Sequence, residues 1–303
     1  MNGKIKPNGI VILDKCEGIT SQTAVNRVKR LFSADRAGHT GTLDPMATGV
    51  LPVLVGRAVK ASEYMMSSKK HYIATLTLGL TTDTEDITGA VLTESDTLPS
   101  ESEVREACSK MVGEIMQTPP MYSAIKVDGR TLMERARRGE VIERESRPVT
   151  VYSMKVEKIS EREYSLDVEC SKGTYIRTLC ADIGAALGCG GVMSALRRAE
   201  AASFTLRDAH TLEELERMTD EEREAVIVPV EKVFENLEKI VLPDFYATLA
   251  HNGAHIYQKK VGADFSLGQR VRMYDREGFF ALGEVREYED GVTAIKPIKM
   301  FGA

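Results

Sequence analysis

The chain has 303 residues, 43% hydrophobic and 28% charged, with a formal net charge of −5, which is ordinary for a soluble globular protein of one large domain plus a smaller one. No run approaches the roughly 18 apolar residues of a membrane-spanning helix, and residues 9–13 are too short an apolar stretch for a secretory signal, so a cytoplasmic protein is expected. The five cysteines (Cys16, Cys108, Cys170, Cys180, Cys189) are scattered and never form C-x-x-C, which argues against disulfides and structural zinc and for reduced, mostly buried thiols. In chain order, residues 9–14 read as a short buried strand. Thr20 and Ser21 then offer an N-cap to a helix whose apolar residues Ala24, Val25, Val28, Leu31 and Phe32 keep the helical period. Residues 38–53, with three glycines and two prolines, read as a loop with special backbone demands, neither helix nor plain strand. Residues 72–79 alternate and are rich in β-branched side chains, the pattern of a strand.

Farther on, Ser100 with Glu103 predicts a capping box for a helix through Val104, Ala107, Cys108 and Met111. Residues 121–147 are polar, carry Arg130, Arg135, Arg137, Arg138, Arg144 and Arg147, and read as a solvated inserted arm that is mobile in the free protein. Strands are expected at 149–159 and 164–170, with a helix from about 174 to 187. From about residue 242, short alternating segments at 270–274, 279–285 and 292–298, punctuated by Gly278, Gly283 and Gly291, suggest a small β-rich module. Helices and strands mix without a regular strand–helix–strand rhythm, so the fold class is α+β.

Charge is uneven. Residues 1–70 hold 11 Lys/Arg against 5 Asp/Glu, or +6, and residues 210–240 hold 4 against 10, or −6. Net charge therefore neither supports nor excludes an RNA partner, because steering follows the local field. His251 and His255 are four apart, but Gly253 lies between them and no H-E-x-x-H occurs, so no metal site is expected.

The sharpest feature is Gly38-His-Thr-Gly-Thr-Leu-Asp-Pro-Met-Ala-Thr-Gly-Val-Leu-Pro-Val53. Its Gly38-His-Thr-Gly41 fits the G-x-x-G of a nucleic-acid-clamping loop, a weak match by itself. A phosphate-binding P-loop would need G-K-[ST], which is absent. Asp44 taken alone is more often a turn former than a catalyst. The whole segment, however, resembles the signature G-H-x-G-x-L-D-P-x-A-x-G-x-L of the bacterial TruB family, the tRNA pseudouridine-55 synthases. Further blocks resemble that family in order: Lys70-His-Tyr72, Gln117-Thr-Pro-Pro-Met-Tyr-Ser-Ala-Ile-Lys126 with Gly129, Ser171-Lys-Gly-Thr-Tyr-Ile-Arg177, Leu196-Arg-Arg198, and Asp208-Ala-His-Thr-Leu-Glu-Glu-Leu215. The match departs where Val192 replaces a common aromatic or histidine and Ala202 replaces a common glycine.

The resemblance implies a catalytic domain over residues 1–240, built on a mixed, mainly antiparallel sheet with flanking helices and an RNA-gripping arm at about 121–147. It implies a small PUA-like RNA-binding module over 241–303. The implied activity is isomerisation of uridine 55 in the T loop of tRNA, with no cofactor, metal or nucleotide, by a monomer. Asp44 is the implied catalytic carboxylate, acting as a nucleophile at C1′ or a base on the sugar. Arg177 is its implied partner, lowering its pKa and holding it bidentately. Tyr72 would stack on the target base and take its proton, Tyr175 would line the same pocket, and His39 would fill the place of the extruded base. Lys126, Arg137, Arg138, Lys172, Arg197 and Arg198 are the expected RNA contacts, with Arg27, Lys29 and Arg30 as further basic candidates. A tRNA-folding chaperone and a guide-RNA-dependent relative of the family are the alternatives; the inserted arm speaks against the second.

Overall fold

The computed structural model describes residues 7–66, 68–288 and 291–302. A large sheet runs through the chain in the spatial order His210–Thr211, Gly9–Lys15, Thr48–Val55, Gly191–Ala201, Lys70–Leu78, Glu163–Cys170, Arg147–Lys158 and Gly113–Gln117. Two short strands join its flank: Ala37–His39 pairs with Thr48–Val55, and Phe204–Thr205 with Gly191–Ala201. The pairings of Gly9–Lys15 with His210–Thr211 and of Gly191–Ala201 with Thr48–Val55 are parallel, and the others are antiparallel. The sheet is therefore mixed and mainly antiparallel, in an α+β chain.

Side-chain alternation assigns the two faces. Val11 and Leu13 face one core with helices Ser21–Leu31, Glu101–Lys110 and Ile176–Leu187, whereas Ile10 and Ile12 face a second core on the opposite side. Burial on both faces explains why Gly9–Lys15 is apolar without alternation. The helix starts follow their caps. The Thr20 hydroxyl accepts from the Thr23 N–H, and Ser100 with Glu103 makes a full capping box. Helix Ile176–Leu187 lies so close to Gly191–Ala201 that a Cβ on Gly184 would stand 2.1 Å from the Gly191 nitrogen, a contact only glycine permits.

Four of the five cysteines are buried and all are unpaired. Among the described residues no helix is long and apolar enough to cross a membrane.

One expectation changes. The 38–53 segment is a strand, a loop and a strand: Ala37–His39, residues 40–47 and Thr48–Val55. Pro52 is tolerated because the edge opposite Gly9–Lys15 changes partner here, from Gly191–Ala201 at Gly49 to Ala37–His39 at Val53. The strand Gly191–Ala201 had no sequence forecast, because two bulges interrupt its alternation. The arm holds a two-strand hairpin of Lys126–Val127 with Arg130–Thr131, then helix Leu132–Ala136 with a Thr131/Glu134 capping box and Leu132 at 1% exposure.

A second sheet orders strands Glu238–Val241, Arg270–Asp275, Gly278–Glu287, Thr293–Met300 and Ile256–Tyr257, with helix Asp244–His251 on its core. It packs onto the large sheet through the second core, where Phe301 and Leu282 meet Ile10, Ile12, Val50 and Leu54. Asn8 donates to the Phe301 carbonyl at 3.1 Å, Arg57 bonds the Gly302 carbonyl, and Lys299 pairs with Glu63 at 2.6 Å.

Candidate active site

Asp44 sits in the 40–47 loop, and the loop is held from both sides. The Ser21 hydroxyl, at the start of the first helix, accepts from the Leu43 N–H at 2.8 Å and donates to its carbonyl at 2.9 Å. Lys15, fully buried at the end of the first strand, donates to the carbonyls of Cys16 at 2.9 Å, Pro45 at 3.3 Å and Ala47 at 2.6 Å. These contacts fix the backbone that presents the carboxylate, whose side chain keeps 34% exposure.

Arg177 rises from the first turn of Ile176–Leu187 and is 7% exposed at its side chain. Its Nε meets Asp44 Oδ2 at 3.1 Å, and its Nη1 meets Asp86 Oδ2 at 3.3 Å and the Thr84 carbonyl at 3.3 Å. Its Nη2 donates to the Tyr122 carbonyl of the arm at 2.8 Å. The expected bidentate fork is thus absent, because the guanidinium is shared between two carboxylates and two carbonyls. Arg177 lowers the Asp44 pKa, as expected, but it does not set the net direction. Burial pushes the carboxyl above its usual range and outweighs Arg177; the Asp86 charge adds to the rise, and Lys15 opposes it.

Tyr72 and Tyr175 approach the same centre from different elements. Tyr72 lies in strand Lys70–Leu78, 8% exposed, and burial raises its phenol while the Arg198 charge opposes that rise. Tyr175 caps the start of helix Ile176–Leu187, and burial raises it also, with Arg177 opposing and the Asp44 charge adding. Both phenols therefore hold their protons at neutral pH. Gln117, 2% exposed, clamps the Tyr175 backbone with both ends of its amide: Oε1 accepts from the N–H at 2.7 Å and Nε2 donates to the carbonyl at 3.0 Å. Among the described residues no three metal-ligating side chains gather.

His39 ends the strand before the loop. Its Nδ1 accepts from the Gly41 N–H at 3.3 Å, and burial first, then the Arg198 charge, lowers its pKa, so the ring is neutral at pH 7. Lys126, Arg137, Arg138 and Lys172 are exposed, as surface contacts require. Arg197 is half-buried and paired with Asp14 at 2.7 Å. Arg198 does not face solvent at all: it is 1% exposed, with its guanidinium spent on backbone carbonyls. It is corrected from a surface RNA contact to an interior cation.

Three residues of the site escaped the sequence reading. Lys15 looks like a surface lysine ending a strand, Gln117 looks like the polar start of the arm, and Asp86 sits in Thr81-Thr-Asp-Thr-Glu-Asp86, which reads as turn chemistry. The clue for Asp86 is that density of short acceptors straight after the long strand; its Oδ1 accepts from Thr84 Oγ1 at 2.9 Å and from the Thr88 N–H at 3.0 Å.

Comparisons with known proteins agree along the chain. Residues 29–176 match the TruB family pseudouridylate synthase (N terminal domain), and residues 177–243 match the tRNA pseudouridylate synthase B C-terminal domain. The chain is 42% identical over 295 residues to the tRNA pseudouridine synthase B of Alkaliphilus oremlandii (strain OhILAs), covering 97% of this chain and 98% of that one. It is 39% identical over 293 residues to the protein of the same name from Neisseria meningitidis serogroup B (strain ATCC BAA-335 / MC58), covering 97% and 94%. Of solved structures, it resembles a chain of a Cbf5–Nop10–Gar1 complex with a TM-score of 0.71 and 27% identity, over 97% of this chain and 84% of that one. A chain of an H/ACA RNP bound to a substrate RNA containing 2'-deoxyuridine gives a TM-score of 0.70 at 25% identity, over 97% and 85%.

Proposed function

The chain belongs to the TruB family of pseudouridylate synthases, and from that premise we propose that it isomerises uridine 55 in the T loop of tRNA with Asp44 as the catalytic carboxylate. The observation that carries this reading is a single buried guanidinium, Arg177, paired with Asp44 beside two phenols.

The reaction breaks the bond between N1 and C1′, turns the uracil, and joins C5 to C1′; the proton lost from C5 is balanced by the one gained at N1. No redox change and no water are consumed. Asp44 acts at the ribose, and both routes open to it, attack at C1′ and removal of a sugar proton, need the carboxylate ionised. Arg177 favours that form and fixes its direction. Tyr72 is given the ring face and the O–H for the extruded base; because burial keeps its phenol protonated, direct removal of the C5 proton is the lesser part of its role. Tyr175 lines the opposite side. The neutral ring of His39 takes the stacking position left by the base.

Lys126, Arg137, Arg138 and Lys172 are assigned to the phosphates of the T arm, with Arg197 half-engaged by Asp14. Residues 1–240 are assigned to catalysis and 241–303 to a PUA-like RNA-binding module, in a monomer. A tRNA-folding role is separable: Asp44→Asn that rescues a deletion strain's fitness without forming pseudouridine supports it. Similarity over nearly the full length to two proteins named tRNA pseudouridine synthase B favours action on tRNA itself.

The direct test is Asp44→Ala. It should bind tRNA about as tightly as the parent and lose activity by at least about a thousandfold. Pseudouridine formation at the parent rate removes Asp44 from the chemistry.

A further inference from the structure

Arg198 stands where the Asp44 loop and the Tyr72 strand meet. We propose that Arg198 is a positioning residue for the isomerisation: its guanidinium staples both ends of the catalytic loop to the strand carrying Tyr72, and so sets how Asp44 and Tyr72 face one bound nucleotide. The inference rests on the roles given above to Asp44 and Tyr72.

Three directions of contact carry it. Nε donates to the Val50 carbonyl at 2.7 Å, just beyond the loop, and Nη2 donates to the Gly41 carbonyl at 3.2 Å, just before Asp44. Arg198 is the antiparallel partner of Tyr72, so the two side chains share a face and the Arg198 charge bears on the phenol. On its other edge Arg198 is the parallel partner of Gly49. A Cβ there would meet the Arg198 carbonyl oxygen at 2.3 Å and nitrogen at 2.8 Å, and Gly49 has φ +103°. The loop therefore closes flush on the Arg198 backbone while the side chain reaches under it.

An arginine suits this place for a chemical reason. A planar fork with five N–H donors reaches separated acceptors in fixed directions, whereas an ammonium concentrates its donors at one point. Burying the charge is costly unless its donors are satisfied, and here they are turned on carbonyls that the loop must orient anyway. The charge is also felt by His39, Tyr72, Lys15 and Lys70, the titratable groups packed around it.

The experiment uses the full chain and a T-arm stem-loop RNA under single-turnover conditions, with Arg198→Lys, Arg198→Met, Tyr72→Phe and the Arg198→Lys/Tyr72→Phe pair. The expected result for Arg198→Lys is a catalytic rate down by about a hundredfold, the cost of misplacing reacting groups, with an unchanged Kd for the RNA. Its loss should shrink in the Tyr72→Phe background, because the two act as a unit. Nitrogen NMR of His39 adds an electrostatic readout: its titration rises in Arg198→Met, which removes the charge, and moves less in Arg198→Lys, which keeps it. A weakened Kd with an unchanged rate would make Arg198 an RNA contact and overturn the proposal. Full additivity with Tyr72→Phe and an unmoved His39 would leave it merely structural. Should Arg198→Met not fold, the lysine variant and the double-variant comparison decide alone. An inactive Asp44→Ala in the same assay keeps failure of this proposal distinct from failure of the active-site reading.

Discussion

At Asp44 two influences oppose each other. Burial favours the neutral acid, Arg177 favours the carboxylate, and Asp86 draws on the same guanidinium while repelling the Asp44 charge. The raised pKa has a consequence for rate: activity falls on the acid side as Asp44 takes up its proton. Asp86→Asn removes a negative neighbour, so the acid limb of its kcat/KM profile should move to lower pH; Arg177→Met should move the limb to higher pH. Both limbs moving the same way would mean that the three groups do not share one electrostatic network. There is also a consequence for stability. A carboxyl whose folded pKa lies above its unfolded value adds stability below the unfolded pKa and loses it as pH rises through the folded one. Asp44→Asn should therefore melt at or slightly above the parent at pH 7, the gap closing in acid; calorimetry across pH checks the sign. Of these residues Asp44, Arg177, Tyr72 and Tyr175 were legible from their motifs. Asp86, Lys15 and Gln117 were not, because their role is to hold backbone or a neighbouring charge, and spacing in sequence does not encode that. Arg198 was visible but misplaced, since two adjacent arginines look alike until the strand pairing shows that only one points inward.

Among the elements, the hairpin after strand Gly191–Ala201 is strained. Ala202 and Ser203 connect Ala201 to its partner Phe204 with φ of +53° and +67°, and a two-residue turn with both angles positive prefers glycine. That makes glycine the fitting residue at position 202 and Ala202 a departure that costs strain. Ala202→Gly should stabilise the chain by about 1 kcal/mol, read as a rise in Tm without loss of activity. In the arm, Leu132 is buried outside the main cores. Leu132→Ala should loosen the arm by about 2–5 kcal/mol locally, seen as faster proteolysis near Lys126 and a weaker Kd for tRNA, with the main melting transition unmoved. Legibility followed the local signal here too. Capped helices and the alternating strands 70–78, 147–158 and 163–170 were readable because one face is buried. Strand Gly191–Ala201 was hidden by its bulges, and the strand around Pro52 by a proline that only a change of partner makes tolerable.

For the whole molecule, Phe301, just past the last strand, ties the C-terminal module to the short helix Val230–Phe234. Phe301, 1% exposed, packs on Phe234 at 5.4 Å and Phe279 at 5.6 Å between ring centroids, within the core that also holds Ile10 and Val50. Phe301→Ala should cost about 3–5 kcal/mol and lower a single melting transition; two separated transitions would show that the sheets do not share a core. No sequence pattern announced this seam, since it joins residues nearly the full chain apart. The most direct measurement of the central claim is a nucleotide-resolution map of pseudouridine in an unmodified tRNA transcript incubated with the pure chain alone. The account predicts one new pseudouridine, at position 55 in the T loop, formed without a guide RNA or partner protein. Modification elsewhere, or none until a guide RNA is supplied, contradicts it.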